Sequence, residues 1–277
     1  MPMPILAILL LCLGVLSPLR AGAENMAEAI ARAMRMSDLM AVMSEEGAQY
    51  GEDLRSELLS GSGDGRWADA VSRIYEPRDM TAAFLRGFGE ALPEEGADTA
   101  EILRYFTSDF GQRVVGLEIA ARQTLLEEGA EDAAKALLDD LNVNDEARVA
   151  LLRDFADAND LVESNVMGAM NANLAFYQGL AEGGAAGFDM AEDEMLSEIW
   201  SQEADIRGET EDWLYPYIAL AYRPLSDEEL ARYVDFSRSS AGRVLNAALF
   251  KAFDGVFRDI SKNLGLAAAE VLSGQDI

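Results

Sequence analysis

The chain predicts an all-α fold: a tandem duplicated helical bundle of about nine to eleven helices with negligible β structure. Three observations carry this. Apolar residues recur at steps of three and four along nearly the whole chain, which is the period of a helix with one buried face. No run alternates apolar and polar residues between turn signals, as a half-buried strand would. A short pattern, aromatic-x-x-Ser-x-x-Gly, occurs twice in matching helix–turn–helix contexts.

The first segment stands apart. Residues 4–19 form an apolar run, followed by Arg20 and then Ala21-Gly22-Ala23. Small residues at the first and third places of that tripeptide fit a signal-peptidase site, so residues 1–23 are expected to be a signal peptide cleaved before Glu24. The residues ahead of the run carry no Lys or Arg, and the rival reading is an uncleaved anchor. The run is shorter than the ~20 residues a spanning helix needs. Cys12 follows Leu11 rather than a small residue, which disfavours lipid attachment. The expected location is therefore periplasmic or secreted, with no stable membrane anchor after cleavage.

Beyond Cys12 the chain has no cysteine, so an exported protein of this sequence must be held by packing rather than disulfides. Loss of residues 1–23 removes Arg20 and no acid, leaving 21 bases against 50 acids and a net charge of −29. Such a field repels nucleic acid and anionic lipid surfaces.

The elements follow in order. Ser37 reads as the N-cap of a helix whose Leu39, Met43, Gly47, Tyr50, Leu54 and Leu58 share one face. Residues 60–65 (Ser-Gly-Ser-Gly-Asp-Gly) break it as a loop. Trp67, Val71 and Ile74 mark a short helix stopped by Pro77, and Met80, Phe84 and Phe88 mark the next, stopped by Pro93. Asp98 with Glu101 reads as a capping box. The longest helical stretches are residues 109–141 and 145–182, the second entered through Asn144, Asp145 and Glu146. Gly183, Gly184 and Gly187 mark a central linker. Helices resume near 190–206, 210–222, 227–236 and 240–272, with a second capping box at Ser226 and Glu229 and Pro224 closing the helix before it.

The repeated pattern runs from Tyr105 to Gly111 and from Phe236 to Gly242, so that Ser108 and Ser239 lie 131 residues apart. At that offset Ile102 matches Tyr233, Leu103 matches Val234, Val114 matches Leu245 and Leu125 matches Val256. Two repeats are expected, residues 24–155 and 156–277, packing as one domain or two. The aromatic would end one helix in the core, the Ser would cap the next, and the Gly would permit a close helix crossing. The same residues resemble the core motif of a family of exported helical bacterial proteins, domain-of-unknown-function family 2059. Tyr105 to Gln112 and Phe236 to Arg243 carry the likeness, although the family often has Pro after the Ser, where this chain has Asp109 and Ser240. The resemblance implies an exported helical domain from a Gram-negative bacterium. It implies no activity, ligand or catalytic residue.

The residue inventory removes much chemistry. The chain contains no histidine, which excludes imidazole acid–base catalysis and histidine metal motifs. Ser108 and Ser239 have no nearby Lys or His to activate them and read as helix caps. Glu194 and Glu198 share a helix face, and Asp157, Asn159 and Asp160 superficially resemble a calcium loop. The loop's sixth and twelfth positions are Val162 and Gly168 rather than Gly and Glu. Solvated acidic faces are the expected reading. Met36, Met40 and Met43 share a face, read as core or interface, with thioether copper binding as the other reading. Trp213, Tyr215, Tyr217 and Tyr222 crowd around Pro216, in the core or around a pocket opened by a kink.

No catalytic, cofactor or metal residues are therefore assigned. The expected function is that of a non-enzymatic helical protein that binds a protein partner or itself; the alternative is a carrier of a small apolar ligand inside the bundle. An exposed apolar stripe along residues 36–58 would favour the first, and a large apolar cavity near residues 213–222 the second.

Overall fold

The computed structural model describes residues 25–58, 64–93, 96–185, 187 and 190–273. The expected signal peptide lies outside them, as do residues 60–63 of the expected loop. The protein is all-α: thirteen helices and no strand occur among the described residues. The count exceeds the nine to eleven expected because several long stretches are divided by single turns.

Helix α1 (Met26–Ala33) begins at Asn25, whose side chain accepts a hydrogen bond from the Glu28 amide at 2.8 Å. Arg35, with φ of 54°, turns the chain into α2 (Met36–Leu58). Ser37 is thus inside the first turn of α2 and is not its N-cap, because the bend at Arg35 starts the helix earlier. Helix α2 buries Met36, Met40, Met43 and Leu54, while Tyr50 of the expected face turns outward. Helix α3 (Asp64–Ile74) buries Trp67, whose indole N–H donates to the Gly51 carbonyl at 2.7 Å. Helix α4 (Pro77–Ala91) starts on Pro77, which lacks an amide hydrogen that the first turn does not need, and buries Met80, Phe84 and Phe88.

Helix α5 (Ala97–Thr107) opens at Gly96 rather than Asp98. The Thr99 hydroxyl accepts from the Gly96 amide at 3.0 Å, so the expected Asp98–Glu101 box is replaced by a one-sided cap two residues earlier. The expected stretch 109–141 is two helices, α6 (Asp109–Leu125) and α7 (Ala130–Asn144), parted by Gly129 at φ 77°. The stretch 145–182 is likewise α8 (Glu146–Ala158), capped by Asp145, and α9 (Leu161–Glu182). Here the break falls at Asp160 with φ 49°, and the neighbouring Asn159 amide donates to the Phe155 carbonyl and the Ser237 hydroxyl. Helices α10 (Glu192–Ser201) and α11 (Glu203–Tyr222) divide at Gln202, and α11 runs on through Pro216. The Ser226–Glu229 box opens α12 (Asp227–Arg238) as expected, and α13 (Ser240–Leu272) follows.

At 33 residues α13 is about 50 Å long and forms the spine of the molecule. It packs along α9 and against α3, α4, α5 and α12, so one hydrophobic cluster runs from Ala27 to Ala269 across both expected repeats. Helices α9 and α13 run in the same direction. Asn246 donates to the Asn159 carbonyl, Asn171 to Asp254 and Lys262 to Glu182, each at 2.7–2.8 Å, in rising order along both helices. Near their C-terminal ends Gly179 and Gly265 face each other, which lets the backbones touch. Arg148, only 7% exposed, donates to the last carbonyl of α11 at Tyr222 and pairs with Asp227 at 2.9 Å, tying α8 to the α11–α12 corner.

The two motif copies have the same local geometry. Ser108 and Ser239 are N-caps with φ near −70°, accepting from the Gly111 and Gly242 amides at 3.1 and 3.0 Å. Each hydroxyl also donates at 2.6 Å to the carbonyl of its motif aromatic, Tyr105 or Phe236. The glycines act differently from the expected helix crossing. A Cβ on Gly111 would sit 2.2 Å from the Tyr105 oxygen, and one on Gly242 would sit 2.1 Å from the Phe236 oxygen. Glycine is required by the tight turn between the motif's own two helices. The two aromatics meet: the Tyr105 and Phe236 rings stack at 3.7 Å. Ser108→Ala and Ser239→Ala should each cost about 1 kcal/mol in chemical denaturation, and Asp at either place should restore most of it. Full recovery with Ala instead would mean the caps contribute nothing.

Candidate functional site

A cleft of about 810 Å³ opens between α2, α6, α9, α11 and α13. Its walls are chiefly apolar: Met36 and Met43 from α2, Ile119 from α6, Leu161 from α9, Ile218 from α11 and Phe253 from α13. Met167, Trp213 and Phe257, between 36% and 40% exposed, stand among the lining as large apolar side chains still open to solvent.

The polar feature is Glu118. Along α6 the residues Val114, Val115, Glu118, Ile119 and Arg122 follow helical spacing, which places one carboxylate on a face that is otherwise aliphatic. Its Oε1 accepts hydrogen bonds from the hydroxyls of Tyr222 at 2.7 Å and Tyr233 at 3.0 Å. The Tyr217 hydroxyl lies 3.4 Å from the Glu118 backbone carbonyl. Burial raises the Glu118 pKa above its ordinary value, opposed in part by the two tyrosine hydrogen bonds and by the charge of Arg122. Burial, and then the charge of Glu118, pushes the phenols of Tyr222 and Tyr233 well above their usual range, so both remain donors at physiological pH.

Arg122, one turn along α6, does not bridge Glu118. It pairs with Glu46 at 3.5 Å and lies 5.6 Å from the Trp213 ring centre, and Trp213 in turn stacks on Tyr217 at 5.1 Å. Of the other acids lining the cleft, Glu163 is held by Arg207 at 2.8 Å and Asp254 by Asn171 at 2.8 Å. Asp160 is exposed.

The residues singled out by sequence divide sharply. Trp213, Tyr217 and Tyr222 reach the cleft, whereas Tyr215 lies apart, beside Asp157 and Arg153. Met36 and Met43 line the cleft wall and Met40 is fully buried behind them, in the core as expected. Glu194 and Glu198 serve their own helix, accepting from the Ala191 amide and the Gln202 side chain at 3.1 Å each. Among the described residues no three acidic side chains converge as a metal site. Ser108 and Ser239 spend their hydroxyls on capping and stand outside the cleft. Sequence reading passed over Glu118. The available signal was an acid three and four residues from Val115 and Val114 on a buried face.

Among the described residues no helix is long and apolar enough to cross a membrane. Set against protein-family models, curated proteins and solved structures, the chain matches none.

Proposed function

We propose that this protein is a non-enzymatic carrier that takes a small, largely apolar molecule into the cleft between α2, α6, α9, α11 and α13. The observation that carries the reading is the cleft itself. Its volume of about 810 Å³ falls in the range of small-molecule sites, roughly 300–1,000 Å³, and the half-buried Glu118 carboxylate interrupts its apolar wall. The partner-binding reading loses the feature that would have favoured it, because Met36, Met40, Met43 and Leu54 are buried rather than exposed along α2. Catalysis has little support: the chain has no histidine, Glu194 serves a helix start, Glu163 is paired with Arg207, and Glu118 accepts from aromatic hydroxyls. An exported carrier fits the expected signal peptide and the resemblance of the two Ser-containing motifs to an exported helical family.

Gly168 lines the cleft, and a Cβ built there meets nothing within 4 Å. Gly168→Trp should therefore occupy the cleft without displacing backbone. Titration with an environment-sensitive apolar dye should give saturable binding to the wild type and at least about tenfold weaker binding to Gly168→Trp, with unfolding unchanged. Equal dye binding by the two proteins would refute the carrier reading.

A further inference from the structure

We infer that the molecule held in the cleft is an amphipathic amine, whose ammonium donates to Glu118 Oε2 while its apolar body lies between α9 and α13. This rests on the reading of the cleft as a ligand site and names the chemistry of its occupant. Five observations support it. Both tyrosine hydroxyls are directed to Oε1, whereas among the described residues no group donates to Oε2, and Glu118 lines the cleft. A half-buried carboxylate without an ion-pair contact is costly, and Arg122, whose charge reaches Glu118, is engaged by Glu46 and Trp213 instead. A ligand ammonium would supply the missing charge.

The surroundings also favour a cation. Tyr217, Tyr222, Tyr233 and Trp213 line the cleft, and electron-rich aromatic rings attract an ammonium. The chain carries a formal charge of −28, which draws organic cations towards the protein and repels fatty anions. Among the acids of the lining, Glu163 and Asp254 already have partners and Asp160 is exposed, so Glu118 is the one poised inside an apolar wall. An amine that binds as the ammonium requires Glu118 ionised, and any proton held by the empty carboxyl leaves to solvent on binding.

Dodecylamine, dodecanol and dodecanoate share one apolar body and differ in the head group. Competition against the same dye should rank them amine, alcohol, carboxylate, with the amine at least about tenfold tighter than the alcohol. Glu118→Gln retains the acceptor for Tyr222 and Tyr233 and should reduce the amine's advantage to within about twofold, leaving the alcohol unchanged. A second arm needs no variant. The groups bearing on Glu118 are the Arg122 guanidinium and the phenols of Tyr105, Tyr217, Tyr222 and Tyr233, and burial holds all four phenols above their usual range. The amine-to-alcohol preference of the wild type should therefore rise with pH between about pH 5 and 8. If amine and alcohol bind equally, or the preference survives Glu118→Gln and ignores pH, the amine inference fails while the carrier reading stands. If none of the three displaces the dye, and the dye itself ignores Gly168→Trp, the cleft reading fails and this inference with it.

Discussion

Gly179→Ala and Gly265→Ala should each destabilise the protein by about 3 kcal/mol, the upper end of what overpacking a close interface costs. A Cβ on Gly179 would lie 2.2 Å from the Lys262 carbonyl oxygen and 2.9 Å from the Leu266 amide nitrogen. A Cβ on Gly265 would lie 2.2 Å from the Phe176 oxygen and 3.0 Å from the Leu180 nitrogen. These are backbone atoms of the opposite helix, so no side chain can rotate away and α9 must separate from α13. Because those helices share the longest interface of the spine and both line the cleft, the loss should extend to the shape of the cleft. Thermal unfolding should show a drop of roughly 6–12 °C for either variant. Gly168→Ala is the internal control on the same helix: it has open space, and replacing a mid-helix glycine should stabilise by up to about 1 kcal/mol. Equal melting temperatures for Gly179→Ala and the wild type would show that the crossing does not hold the helices together.

Glu118→Leu should cost about 2–4 kcal/mol, because it removes the acceptor of two buried phenols at once. Glu118→Gln keeps that acceptor and should be neutral or stabilising at pH 7, since it relieves the cost of burying an unpaired charge. The pH dependence follows from the direction of the shift. The folded pKa of Glu118 is raised above its ordinary value of 4.5, so the folded state holds this proton more tightly than the unfolded chain. Its contribution to stability is therefore fully present below pH 4.5 and declines as pH rises towards and through the folded value. Urea unfolding of wild type and Glu118→Gln across about pH 4–8 should show the wild type losing ground to the variant as pH increases. A difference that is flat, or that moves the other way, would mean that the tyrosines and Arg122 hold the carboxylate ionised.

How much was legible in the sequence depends on how far apart the deciding atoms lie. Helix α12 and its cap were readable because Ser226 and Glu229 bond each other's backbone three residues away. Ser108 and Ser239 were readable as caps for the same reason. The breaks inside the long stretches were harder. At Asp160 a non-glycine residue takes a left-handed conformation, and the adjacent Asn159 is anchored to Ser237, 78 residues onward. Ser37 failed as a cap because the bend two residues earlier, at Arg35, had already started the helix.

The sequence by itself determined an all-α chain whose core cannot rely on disulfides and whose chemistry excludes histidine, because period, composition and i to i+4 hydrogen bonds are local properties. Tertiary structure alone decided that Met36 and Met43 wall a cleft, that Trp213, Tyr217 and Tyr222 but not Tyr215 reach it, and that Glu118 is its polar centre. The partners that define that centre, Tyr222 and Tyr233, lie 104 and 115 residues from Glu118. No local pattern marks such distances. They are set by the close backbone packing of α9 on α13 and by Arg148 fixing the α11–α12 corner, where long-range burial rather than helix propensity selects which side chains meet.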